Sequence, residues 1–253
     1  MTAKTDKSTL QAKSGQLVDR LAQSAILHLG ATGSTTRPRR LDVGTKALIE
    51  AVLDRASFDA EAVWGDLERL RLSRIDMFDH CIPEAATALG EGWLQDEITF
   101  AGVSNASSRL FGMCKEIGGE WHNLTTDDDT SSILLATIDR EDHVIGPSIL
   151  AEQMRRRGHS VYMMHNVDAA RIRTRLRNVR HDAVMISAAS YQSLDLASEA
   201  IRSLVYEGVD VPVILGGAIL EFEDGLEHKT GADLVTNDLD KALAAVATAR
   251  AAQ

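Results

Sequence analysis

His143 sits in the segment Asp139-Arg140-Glu141-Asp142-His143-Val144-Ile145-Gly146, and these residue types at this spacing suit metal ligation. A neutral imidazole is a good ligand for a transition metal. A carboxylate on its other ring nitrogen fixes the tautomer and raises the basicity of the ligating one. Glu141, two residues earlier, is placed for that task. Gly146 lets a planar macrocycle or a nucleotide-like tail approach the backbone. Taken alone, a histidine in a polar loop is more often solvated or capping.

Two further segments raise the odds. One is Ser187-Ala188-Ala189-Ser190-Tyr191-Gln192-Ser193-Leu194, the other Gly216-Gly217-Ala218. Small residues in both would carve a slot at one edge of a sheet. Small residues also permit tight strand-to-helix turns, so each segment by itself stays ambiguous.

The elements around these segments place all three at one edge. Ser132–Ile138 is a short, nearly continuous apolar run, as expected of a strand buried on both faces. Residues 145–157 read as a helix stopped by Gly158. Val161–Met164 reads as a second strand, 168–178 as a helix, Ala183–Ala188 as a third strand and 193–207 as a helix. Val211–Leu215 is the fourth strand, Leu220–His228 a helix, Asp233–Val235 a weak fifth strand and Leu239 to Ala251 a last helix. Strands alternating with helices of this length predict an α/β fold, a doubly wound five-stranded parallel sheet of flavodoxin-like type. Ligands of such sheets sit outside the carboxyl ends of the strands, here the loops beginning at 139, 165, 187 and 216.

Upstream, residues 45–122 show helical periodicity and predict a four-helix domain. Its segments carry Leu48, Ile49, Val52 and Leu53, then Val63 to Leu72 behind a candidate cap at Ser57, then Ile75 to Leu89, and finally Ile98 to Ile117. Gly90 and Gly92 are expected to loosen the end of the third helix. Residues 1–44, rich in Ser, Thr, Lys and Gly, read as a flexible N-terminal arm, with a possible docking face at Leu17, Leu21 and His28. Residues 123–130 read as a linker, and 131–251 as the sheet domain.

Composition bounds the function. The chain of 253 residues has 27 Lys and Arg against 37 Asp and Glu, a net charge of −10 that disfavours independent DNA binding. Two cysteines far apart, Cys81 and Cys114, lack the paired spacing of a zinc or redox motif. A polar N-terminus and the lack of about 18 consecutive apolar residues predict a cytoplasmic chain without a membrane span.

With those segments in place, residues 131 to about 250 resemble a cobalamin-binding domain, whose first loop reads Asp-x-His-x-x-Gly, whose third carries small residues before Ser-Leu, and whose fourth carries Gly-Gly. The resemblance implies that His143 displaces cobalamin's own base and binds cobalt from below, with Asp142, Val144 and Ile145 beside it. It implies that Gly146, Ser187, Ala189, Ser193, Leu194, Gly216 and Gly217 surround the displaced tail. One departure is visible: the family's Asp is Glu141 here.

The helical region resembles the cap over cobalamin's upper face in light-sensing cobalamin repressors. Trp93 stands where that family has Trp, but the following Glu-His positions hold Val103 and Ser104. Trp93 with a polar arm and without that Glu-His pair resembles the AerR/PpaA-type regulators of photosynthesis genes in purple bacteria. That likeness implies a cobalamin-dependent, light-responsive antirepressor, not an enzyme, with a CrtJ/PpsR-type repressor as protein partner and DNA reached only indirectly or weakly. Adenosyl-, methyl- or hydroxocobalamin would be the cofactor. Two alternatives stay open: a corrinoid methyl carrier of a methyltransferase system, and a sensor of the same fold in which His143 ligates haem. The Arg171/Arg173/Arg175/Arg177 series reads first as a solvated helix face.

Overall fold

The computed structural model describes residues 39–54, 56–121, 130–139, 141 and 143–252. The arm up to residue 38, with His28, the linker residues 122–129, and Asp142 lie outside the described residues. The described residues fall into two compact units that divide between Leu110 and Phe111.

The first unit is helical. Helix α1 spans Arg39–Leu53, so helical structure begins inside the segment read as arm to residue 44. Helix α2 (Ala60–Arg69) is capped by Asp59, which accepts from the N–H groups of Glu61 and Ala62; the expected cap, Ser57, lies two residues too early. A helical run then follows, comprising Arg74–Asp76, a π-turn over Met77–Cys81 and helix α3 over Ile82–Leu94. A reciprocal Ser73–Asp76 capping box opens it. Leu48, Trp64, Leu67, Met77, Phe78, Ile82 and Leu89 are fully buried in this unit's core.

Gly90 and Gly92 do not end α3. Both lie inside it, and a Cβ on Gly92 would stand 2.8 Å from Ile98 Cδ1. The glycine therefore serves a close approach of the returning chain. The reversal itself uses Asp96 at φ 59°, with Glu97 and Ile98 donating to the Gly92 carbonyl. Helix α4 covers Phe100–Trp121, and the division between the units falls within it.

The second unit holds five parallel strands in the order β2-β1-β3-β4-β5: β1 Ser132–Ile138, β2 Ser160–Val167, β3 Ala183–Ser187, β4 Val213–Gly216 and β5 Leu234–Val235. The apolar run of β1 is explained by its two faces. Leu134, Ala136 and Ile138 join one core with Ile172 of α6 (Ala169–Asn178) and Leu194, Ala197, Ile201 and Leu204 of α7 (Tyr191–Tyr206). Ile133 and Leu135 join another with Ala151 and Met154 of α5 (Ile145–Arg156) and with Ala242 and Val246 of the last helix (Leu239–Ala251).

Beyond one- or two-residue shifts at β3, β4 and β5, three boundaries differ from the sequence reading. Strand β2 extends to Val167, so its loop starts at 168, not 165. Its pairing with β1 shifts register between Ala136 and Ile138, where Asn166 takes φ 50° and its N–H bonds Thr137 Oγ1 at 3.2 Å. Helix α7 begins at Tyr191 rather than 193, because Ser190 is its N-cap. The expected helix over 220–228 is instead a 3-10 turn at Ala218–Glu221 and a short helix α8 at Leu226–Thr230, separated by Gly225 at φ 68°.

Candidate functional site

Strand order reverses between β1 and β3, and in open parallel sheets the crevice at that reversal is the binding place. The loops leaving β1 and β3 supply Glu141 and His143, and Ala188 to Ser193, respectively. Glu141 is 2% exposed and His143 is 7% exposed.

One carboxylate ties these loops together. Glu141 Oε1 meets His143 Nδ1 in a short contact and accepts from the His143 backbone N–H at 3.0 Å. Glu141 Oε2 accepts from the Ala189 N–H at 2.9 Å. The extra methylene that distinguishes Glu from Asp thus serves a span from the first loop to the third. Burial pushes the Glu141 carboxyl up. Hydrogen bonding and charge from His143, the Ser193 hydroxyl and the Ala189 N–H outweigh it and hold the group below its ordinary range. A carboxylate only accepts, so Nδ1 carries the ring proton and Nε2 the lone pair. Nε2 is therefore the nitrogen that could ligate a metal.

Ser193 stands behind this pair. Its Oγ accepts from the N–H groups of Ala189 at 3.1 Å and Ser190 at 2.9 Å, while Ser190 Oγ accepts from the Ser193 N–H at 3.2 Å. The reciprocal cap fixes the start of α7 and with it the Ala189 N–H. Leu194 is buried in the core beneath, and Ser187 ends β3 half-buried, paired with Thr137 and Gly216. Val144, Ile145 and Gly146 are half-buried, the last two opening α5.

The glycine pair has a purpose within the chain. Gly217 takes φ 105°, and a Cβ there would lie 2.4 Å from the Ala188 carbonyl oxygen. A Cβ on Gly216 would meet the Thr236 carbonyl oxygen at 3.0 Å. Asn237 holds the turn, accepting from Gly217 N–H at 2.7 Å and donating to the Gly217 carbonyl at 3.1 Å. The absent side chains thus let the third and fourth loops close on each other.

Glu141, His143, Ala189 and Ser193 are brought into one hydrogen-bonded group, with Ser187, Gly216 and Gly217 on the adjoining strand ends. Trp93, Val103 and Ser104 belong to the helical unit. Trp93 is 8% exposed, edge-on to Phe100 with ring centroids 6.3 Å apart; Val103 is buried in α4 and Ser104 half-buried. Sequence reasoning missed Ser190 as a cap and Asn237 as a brace. The Ser-x-x-Ser spacing could have flagged the first; nothing local flags the second, 20 residues beyond its partner.

Among the described residues no three His, Cys, Asp or Glu side chains converge as a metal-ion site. The chemistry open to His143 is to give one nitrogen to a metal that brings its other ligands with it. A corrin or haem meets that description, and the buried, carboxylate-oriented imidazole fits it.

Comparison with known proteins agrees. The B12 binding domain model matches residues 131–247. A Rhodobacter capsulatus protein described as an uncharacterized 20.5 kDa protein in the bchF-crtJ intergenic region is 33% identical over 171 residues, 65% of this chain and 86% of that one. The Methanosarcina barkeri monomethylamine corrinoid protein has a TM-score of 0.61 at 13% identity, covering 85% of this chain and 95% of its own, a likeness of fold. A cobalamin-binding protein from Desulfitobacterium hafniense DCB-2 has a TM-score of 0.40 at 20% identity, over 81% of this chain and 95% of its own. By its match to the B12 binding domain over residues 131–247 and its 33% identity to the Rhodobacter capsulatus protein, the chain belongs to the family of proteins built on the B12 binding domain.

Proposed function

We propose that this chain binds cobalamin with His143 Nε2 as lower ligand and acts as a light-responsive regulator through a partner DNA-binding repressor of the CrtJ/PpsR type. The observation that supports binding most directly is the buried Glu141–His143 pair at the strand-order reversal, inside the segment that matches the B12 binding domain. Cobalt in the corrin would supply an exchangeable or photolabile upper ligand. The protein's part is to orient one imidazole, hold its proton on Nδ1 and keep water from the ligating nitrogen.

The regulatory half of the reading is supported by the AerR/PpaA resemblance and by the description of the Rhodobacter capsulatus relative as lying between bchF and crtJ. A regulator of this kind works by population shift: ligand state favours one of two protein conformations, and the partner binds one of them better.

The test is an absorption spectrum of the full chain reconstituted in the dark with adenosyl-, methyl- and hydroxocobalamin, alongside His143→Ala, before and after illumination. Retention that depends on His143 and a light-dependent spectral change support the reading. If cobalamin washes away while haem gives a strong Soret band, the haem-sensor alternative replaces it.

A further inference from the structure

A cavity lies at the edge of the sheet opposite the His143 site. Its walls are the segments that lead into β3 and β4, residues 176–181 and 207–211, so it opens at the amino ends of the strands, away from the His143 edge. Its volume is about 850 Å³, within the usual range for small-molecule sites.

The charge around it runs against the rest of the chain. Residues 169–180 contain five arginines and no acid, in a protein where acids exceed bases 37 to 27. Arg173, Arg177 and Arg180 line the cavity against two carboxylates, Glu207 and Asp210, which leaves a net positive charge. Arg173 is held by Glu207 at 2.7 Å and Ser203 Oγ at 2.8 Å. Arg177 makes no ion pair among the described residues. Between the charges the lining is apolar: Leu176, Val179, Val209 and Val211.

One wall is rigidly built. His181, 4% exposed, accepts from Arg175 Nε at its Nε2 at 3.1 Å and donates from Nδ1 to Ser132 Oγ at 3.0 Å. The Arg175 guanidinium in turn lies 3.7 Å above the Tyr162 ring. Burial and the adjacent Arg175 charge push the His181 imidazolium toward its neutral form, consistent with this tautomer.

We propose that this cavity binds a small organic anion, a phosphate or carboxylate attached to an apolar body, with Arg177 and Arg180 as anion contacts and the valine-lined floor for the body. Guanidinium forks match such oxyanions bidentately. A straight rail of cations would suit a nucleic-acid backbone better than this half-open, partly apolar hollow with two carboxylates in its rim. The cavity's reading does not depend on what His143 binds.

The test is calorimetric titration of the full chain with phenyl phosphate and with inorganic pyrophosphate, repeated on Arg177→Glu/Arg180→Glu and on Arg171→Glu. Arg171 is on the same helix but does not line the cavity. The expected result is one saturable site for phenyl phosphate, binding pyrophosphate more weakly, with affinity lost about tenfold or more in the double variant and unchanged in Arg171→Glu. His143→Ala should leave it unchanged. No saturable binding, equal loss in Arg171→Glu, or binding of duplex DNA in place of phenyl phosphate with the same arginine dependence would each overturn it. Circular dichroism of the double variant separates lost binding from lost fold.

Discussion

The Glu141 carboxylate accepts from the Ala189 backbone N–H at 2.9 Å across the line where strand order reverses, while its other oxygen engages His143. One side chain therefore orients the ligating imidazole and latches two loops that are 48 residues apart in the chain. Shortening it should separate these roles. Glu141→Gln removes the charge that supports the imidazole, and cobalamin affinity should fall by roughly 10- to 100-fold in an equilibrium spectral titration. Glu141→Asp keeps the charge beside His143 and gives up reach, so binding should fall less than in Glu141→Gln while the third loop loosens in hydrogen exchange at Ala189.

Gly217→Ala should be among the most damaging single-methyl changes in the second unit. It forces a Cβ into the Ala188 backbone at a left-handed φ, and a cost of roughly 1–3 kcal/mol is expected from the strain alone. Gly208→Ala also takes a positive φ, but meets nothing within 4 Å. In urea denaturation its loss should be clearly smaller, and equal losses would refute the close-approach account.

Ser190→Ala deletes the cap of α7 and should cost about 1 kcal/mol in the same assay. It should also weaken cobalamin binding, because the cap positions the Ala189 N–H that Glu141 uses. An unchanged spectral titration would detach the helix start from the cofactor site.

Stability should fall as pH drops through the histidine range. Burial, aided by Arg175, depresses His181; burial, aided by Lys115, depresses His165. Both stay neutral in the fold at a pH where the unfolded chain, near 6.5, already takes up protons. Stability is then full above about pH 6.5 and lost as pH falls from there toward the folded values. The urea midpoint should decline as pH falls below about 6.5, and His181→Asn should flatten part of that slope.

Both thiols should be inert in the folded protein. Cys81 and Cys114 are buried, and burial, with the Glu152 carboxylate nearby, pushes the Cys114 thiol up to about 12. A thiol-specific chromophore should react only at the rate of opening, and immediate modification of native protein would contradict the packing.

Strands β1 and β3 were readable in the sequence because burial on both sheet faces requires uninterrupted apolar runs there. The contact between Glu141 and His143 was readable from their spacing, which by itself left the role of the histidine open. What stayed hidden depends on tertiary partners. Gly92 looks like a helix stop until Ile98 is seen against it. Gly216 and Gly217 look like room for a ligand, and nothing local shows that a Cβ at either would also meet the Thr236 or Ala188 backbone. The polar residues His165 and Asn166 mask the end of β2, which pairs with β1 despite them.

Strand β2 is also one of the sheet's two open borders, eight residues long against two for β5. A long, straight border would template pairing with another copy and seed aggregates. The register shift opposite Ala136 and the left-handed Asn166, whose N–H is already spent on Thr137, break that border after its first five residues. Asn166→Val would straighten it, and the foreseeable result is a protein that precipitates on concentration.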